Sequence, residues 1–104
     1  MKSLLSAVAL AAFALSSGAA FADGEAALNK SGCMACHAKD KKLVGPSFKD
    51  IAAKYKGQDV AAKLFDKVRK GGAGVYGPVP MSPNGPDKIS DPDLKDAIAV
   101  ILKS

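Results

Sequence analysis

Cys33-Met34-Ala35-Cys36-His37 contains both cysteines and the single histidine of this 104-residue chain. Two thiols three positions apart lie on one side of a helical turn. With a histidine directly after the second, the spacing C-x-x-C-H is that of a covalent c-type haem attachment site. On this reading Cys33 and Cys36 add to the two vinyl groups on one haem edge, and His37 sits under the iron as an axial ligand. The rest of the chain must then supply a second ligand, a dry pocket and an export address.

The address lies at the start. Lys2 precedes a largely apolar run from Leu4 to Leu15, Ser16-Ser17-Gly18 breaks it, and Ala20-Phe21-Ala22 places small residues where an A-x-A cleavage site needs them. Residues 1–22 are expected to be a cleaved secretory signal peptide. The apolar run falls short of the ~20 residues a spanning helix requires, so no stable membrane insertion is expected. Residues 23–104 then form one domain, expected to be a monomer in the bacterial periplasm or on the outer face of a membrane. In such an oxidising compartment an unattached C-x-x-C pair tends to close as a disulfide.

The remaining 82 residues make a small domain, of the size that commonly relies on a staple or metal to supplement its core. A buried haem provides a large apolar surface on which short helices can pack. Lys2 is the only charged residue among the first 22, so the net charge of +5 falls to +4 without them. A moderate positive charge suits an acidic docking partner and equally suits ordinary solvated lysines. No nucleic-acid partner is expected, because the basic residues are dispersed and the chain carries an export signal.

Beyond the signal, residues 23–30 carry acidic residues early and a lysine late, as a short helix favours. Lys39 to Lys42 is charged and solvated. Leu43-Val44-Gly45-Pro46 is apolar and stiff, and the carbonyl of Pro46 is a candidate acceptor for the second ring nitrogen of His37, a contact that orients the ring. Ser47 is a plausible N-cap with Asp50 three residues on. Phe48, Ile51, Ala52 and Tyr55 follow at i, i+3, i+4 and i+7, and Gly57 ends that helix. A second helix is expected from about Gln58 to Lys70, with Val60, Leu64, Phe65 and Val68 as its apolar stripe. Phe48, Tyr55 and Phe65 are expected in the core.

Gly71, Gly72 and Gly74 then break the helix. Four of the six prolines follow, at 78, 80, 83 and 86, which excludes a helix interior and points to a rigid loop. Met81 lies in its middle. Ser90 opens a last helix, with Pro92 in its first turn and Asp93 three residues past the cap. Leu94, Ala97, Ile98, Ile101 and Leu102 form its stripe, expected to cross the N-terminal helix. No strand-like alternation is evident, so the expected fold is all-α, about four short helices wrapped around one haem.

The sixth iron position decides the function. Met34 lies inside the attachment loop on the His37 side, and Met1 goes with the signal. Met81 is therefore the one thioether able to reach the opposite face. It is 44 residues beyond His37, and a thioether there raises the reduction potential. Alternatives are Met81 as core filler and ligation by Lys88.

Cys33 to His37, Gly45-Pro46, and Gly74-Val75-Tyr76-Gly77-Pro78-Val79-Pro80-Met81-Ser82-Pro83-Asn84 together resemble the small bacterial class I cytochromes c, of the soluble periplasmic cytochrome c-551 type. The resemblance covers nearly all of residues 23–104. It implies a compact helical fold around one haem c bound through two thioethers. It implies a one-electron carrier between a donor such as the cytochrome bc1 complex and a periplasmic nitrite reductase, peroxidase or terminal oxidase. Carried over by position, Cys33 and Cys36 are the thioether links, and His37 and Met81 the axial ligands. The Pro46 carbonyl is the His37 acceptor, and Asn84 bonds the methionine sulfur. Tyr76 stands where the family usually has a propionate-binding Trp, Lys67 where it often has a propionate-binding Arg, and Val100 where it often has Trp.

The competing classes are weaker. A haem peroxidase or gas-binding protein needs an open sixth position, against which Met81 argues. A thiol–disulfide oxidoreductase using Cys33 and Cys36 usually carries a βαβ pattern, absent here. A zinc site lacks a remote fourth ligand, and Cys33, Cys36 and His37 are too crowded for one tetrahedral ion. For the carrier, Lys39, Lys41, Lys42 and Lys88 are the expected ring around the docking edge.

Overall fold

The computed structural model describes residues 22–104; the expected signal peptide lies almost wholly outside them. Helix α1 covers residues 22–30 and runs into a single 3-10 turn, Cys33–Ala35. Three further helices follow: α2 (Phe48–Lys54), α3 (Ala61–Lys70) and α4 (Asp91–Leu102). Between α3 and α4 lies a hairpin of β1 (Gly72–Gly74) and β2 (Gly77–Met81).

Local chemistry sets the helix ends. Ser47 is buried, and its Oγ accepts from the Asp50 backbone N–H at 3.0 Å, capping α2. Ser90 caps α4 in the same way, its Oγ accepting from Asp93 N–H at 3.3 Å, with Pro92 in the first turn. Each such cap stabilises its helix by about 1 kcal/mol. The third helix starts later than its apolar stripe suggests. Gln58 donates its N–H to the Tyr55 carbonyl as part of the preceding turn, and Val60 is the cap residue, without a side-chain bond.

The core is built from Ala27 and Leu28 of α1, Phe48 of α2, Ile89, and Leu94, Ala97, Ile98 and Val100 of α4. Burying side chains such as Leu94 and Ile98 contributes about 1.5–3 kcal/mol each. Tyr55 is also buried, whereas Phe65 is only half-buried. Helix α4 packs against α2 and α3, and it crosses α1 closely. A Cβ added to Gly24 would sit 2.5 Å from the Asp96 carbonyl oxygen and 2.6 Å from Val100 Cγ2. Only glycine permits that approach. On its other side Val100 lines a shallow hollow of about 120 Å³ shared with Leu28, Met34 and Phe48. The small residue at 100 is thus absorbed partly by a close crossing and partly by a residual hollow.

The four-helix expectation holds, with one difference. The proline-rich stretch is in part a strand. Gly72 pairs with Met81 and Gly74 with Gly77, antiparallel, with an irregularity between the two pairs. Pro78 and Pro80 lack an N–H to donate, but a two-stranded ribbon has free edges where proline is tolerated. Gly74 and Gly77 take φ of 121° and 104° around the Val75-Tyr76 turn, a conformation that suits glycine.

Candidate haem site

The Cys33–Ala35 turn brings the two thiols together. Cys36 N–H bonds the Cys33 carbonyl at 3.3 Å, and His37 N–H bonds the same oxygen at 3.0 Å. Both cysteines are free thiols; Cys36 is exposed and Cys33 half-buried. Burial pushes the Cys33 pKa up; a local backbone hydrogen bond opposes this and the neighbouring Cys36 adds to it. Cys33 is therefore a neutral thiol at pH 7.

The loop after His37 folds back on it. Gly45 N–H bonds the Cys36 carbonyl at 2.8 Å, Phe48 N–H bonds Ala38 and Lys49 N–H bonds Lys39. This return places the Pro46 carbonyl 2.7 Å from His37 Nδ1. A carbonyl only accepts, so Nδ1 carries the proton and the Nε2 lone pair is left for a metal. The ring stacks on Phe48, centroids 5.5 Å apart and planes 22° apart. Gly45 approaches the same ring closely; a Cβ there would be 2.6 Å from His37 Cε1. Hydrogen bond, stacking and close backbone approach leave the imidazole little freedom.

Met81 ends β2 and is half-buried. Its backbone is held from one side by pairing with Gly72. Gly71, at φ 69°, abuts the Met81 carbonyl, and a Cβ there would sit 2.8 Å from Pro83 N. Asn84 N–H donates to the Val68 carbonyl at 2.9 Å, and the Asn84 amide donates to the Ser82 carbonyl at 2.9 Å. A carboxamide has two N–H bonds, so one remains beyond the Ser82 contact.

Two residues named by position face the hairpin side. Lys67 is half-buried, with Nζ beside Gly72. Tyr76 is 43 % exposed at the hairpin turn, and Lys54 Nζ sits 5.7 Å from its ring centroid. Sequence reasoning missed Arg69. Its guanidinium bonds the carbonyls of Asn84 and Ile89 at 3.1 and 2.8 Å and the carboxylate of Asp91 at 2.5 Å. In the sequence it is one of several basic residues at the end of α3, and nothing in the pattern separates it from Lys67 or Lys70.

The donor set fits a haem c. It offers two free thiols at C-x-x-C spacing, an imidazole with one nitrogen protonated onto a carbonyl, and a thioether on a separately anchored loop. The surroundings fit as well. Leu43, Val44, Val75, Tyr76 and Val79 are large apolar residues that remain exposed in the loops bearing His37 and Met81. The apolar stripe of α3, Leu64, Phe65 and Val68, is only half-buried.

Comparison with known proteins agrees. Residues 19–101 match the family described as "Cytochrome C oxidase, cbb3-type, subunit III". The chain is 50% identical over 76 residues to cytochrome c2 of Rubrivivax gelatinosus, covering 72% of this chain and 89% of that one. It is 47% identical over 89 residues to cytochrome c-551 of Pseudomonas aeruginosa, covering 85% and 83%. The crystal structure of Nitrosomonas europaea cytochrome c552 superposes with a TM-score of 0.69 at 42% identity, covering 76% of this chain and 96% of that one. The chain belongs to the small class I monohaem cytochromes c. It is thereby an electron-transfer protein rather than an enzyme, with one covalently attached haem c.

Proposed function

We propose that this chain is an exported one-electron carrier in which Cys33 and Cys36 hold the haem through thioethers and His37 and Met81 hold its iron. The bound haem supplies a single-electron Fe(III)/Fe(II) couple. The observation that carries the reading is the His37–Pro46 hydrogen bond. It fixes the imidazole tautomer with Nε2 free and strengthens that nitrogen as a donor. Met81 is the thioether outside the attachment loop, and its anchoring on β2 supports it as the opposite ligand. A thioether there favours the reduced iron and excludes peroxide or O₂ from the sixth position.

Residues 1–22 serve as the cleaved signal, and the mature protein works as a periplasmic monomer. No helix among the described residues is long and apolar enough to cross a membrane. Its partners are redox proteins: a donor such as a bc1-type complex, and an acceptor among nitrite reductases, peroxidases and terminal oxidases. Of the four candidate docking lysines, Lys39 is already paired with Glu25 at 3.2 Å. Lys41, Lys42 and Lys88 are exposed and have no ion-pair partner among the described residues. They are the better candidates for steering toward an acidic surface.

The test is the visible spectrum of the purified protein beside Met81→Ala. A c-type reduced spectrum, with a weak far-red sulfur-to-iron band in the oxidised protein that vanishes in the variant, supports His/Met ligation. A haem spectrum without that band in the unaltered protein moves the assignment to a peroxidase or gas-binding protein.

A further inference from the structure

Arg69 lies at the centre of a clasp between α3, the segment following Met81 and the start of α4. Its side chain is only 14% exposed, against 63% for its partner Asp91. One terminal nitrogen donates to two backbone carbonyls fifteen and twenty residues away in sequence, Asn84 and Ile89, and the other donates to Asp91. The guanidinium also lies 5.1 Å from the Phe65 ring centroid, so the group is held from below as well as in plane. Ile89 is buried, which leaves little water to replace a lost donor at its carbonyl.

The segment so gripped begins three residues after Met81. The same stretch is tied to α3 by Asn84 N–H on the Val68 carbonyl, one residue before Arg69. On the other side of Met81 the backbone is restrained by the short β1–β2 pairing. A lysine at 69 offers a single nitrogen, whereas the planar fork of arginine holds the two carbonyls with one terminal nitrogen and Asp91 with the other.

We infer that Arg69 is a positioning residue for the Met81 ligand: its three-way clasp keeps the Met81 segment closed and so sets how readily an outside ligand replaces the thioether. The inference rests on the proposal that Met81 ligates the iron. An external ligand competes only with the fraction of molecules whose Met81 segment is open, so its apparent affinity scales with that fraction. Arg69→Met keeps the alkyl packing and removes every donor. Asp91→Asn keeps both carbonyl bonds and removes the opposing charge.

The experiment uses the haem-loaded protein. Imidazole is titrated into the oxidised form, following loss of the sulfur-to-iron band, for the unaltered chain, Arg69→Met, Arg69→Lys, Asp91→Asn and a core variant, Ile98→Ala. Amide hydrogen exchange at Asn84 and Ala97 is measured alongside. Arg69→Met is expected to bind imidazole roughly ten- to a hundredfold more tightly, with Arg69→Lys and Asp91→Asn in between. Exchange at Asn84 should quicken more than at Ala97. Ile98→Ala should lower the melting temperature with little change in imidazole affinity. Equal imidazole affinity in Arg69→Met and the unaltered protein overturns the inference, as does an Ile98→Ala effect that matches Arg69→Met at equal loss of stability. Should Arg69→Met fail to load haem, unchanged affinity in Asp91→Asn and Arg69→Lys overturns it. Absence of the band from the unaltered protein instead removes the Met81 assignment beneath it.

Discussion

The backbone of Gly45 abuts the imidazole of His37, leaving no room for a methyl group between them. Gly45→Ala should therefore displace the ring and lengthen its 2.7 Å bond to the Pro46 carbonyl. Crowding of this kind costs about 1–3 kcal/mol. The expected outcome is a lower melting temperature together with an altered reduction potential, because the donor strength of the ring changes with its hydrogen bond. A potential identical to that of the unaltered protein would show that the contact is packing alone.

Gly71 is constrained twice, by φ 69° and by the Met81 carbonyl and Pro83 nitrogen beside it. A side chain here is strained whichever way it turns. Strain of this type costs on the order of 1–3 kcal/mol, and its relief must move the Met81 segment. Gly71→Ala is expected to weaken the sulfur-to-iron band and lower thermal stability. Gly57→Ala is the comparison: φ is also positive, at 77°, but nothing lies within 4 Å of the new methyl. It should lose stability and keep the band.

Val100 has a crowded side toward Gly24 and an open side toward Leu28, Met34 and Phe48. Opposite outcomes are expected at the two positions. Gly24→Ala forces α1 away from α4 and should destabilise by about 1–3 kcal/mol. Val100→Leu extends into the hollow, and one added methylene there is worth about 0.8 kcal/mol. In a domain of this size that corresponds to a rise in melting temperature of about 3–6 °C, readable by calorimetry. A fall would mean that the hollow cannot accept the added branch.

Tyr76 carries the alkaline prediction. Burial raises its pKa above the ordinary value of 10.0, and the nearby Tyr55 and Asp50 push it further in the same direction. The folded chain therefore holds the phenolic proton more tightly than the unfolded chain. This contribution to stability is fully present below pH 10 and is lost as pH rises through the higher folded value. Denaturant midpoints between pH 9 and 12 should fall less steeply for Tyr76→Phe than for the unaltered protein.

Much of this molecule is legible in its sequence because the informative signals are local. C-x-x-C-H, Ser47 with Asp50, Ser90 with Pro92 and Asp93, and the Pro-Met-Ser-Pro stretch each specify geometry within a few residues. The start of α3 was less legible, since Val60 belongs to the apolar stripe and yet stands outside the helix as its cap. The β-hairpin was missed because two of the five residues in β2 are prolines, which ordinarily argue against a strand. Arg69 was missed for a different reason. Its partners lie fifteen to twenty-two residues away, and only the fold brings them together.

The exposed apolar loops also bear on the life of the protein in the cell. Val44, Val75 and Val79 are each more than half exposed on the polypeptide. Surfaces of this kind are adhesive, and they mark a chain for chaperones and proteases. Loading of the prosthetic group thus becomes a checkpoint for survival as well as for redox work. A chain carrying Cys36→Ser should be cleared faster than the unaltered protein in a pulse-chase measurement, and equal lifetimes would break that link.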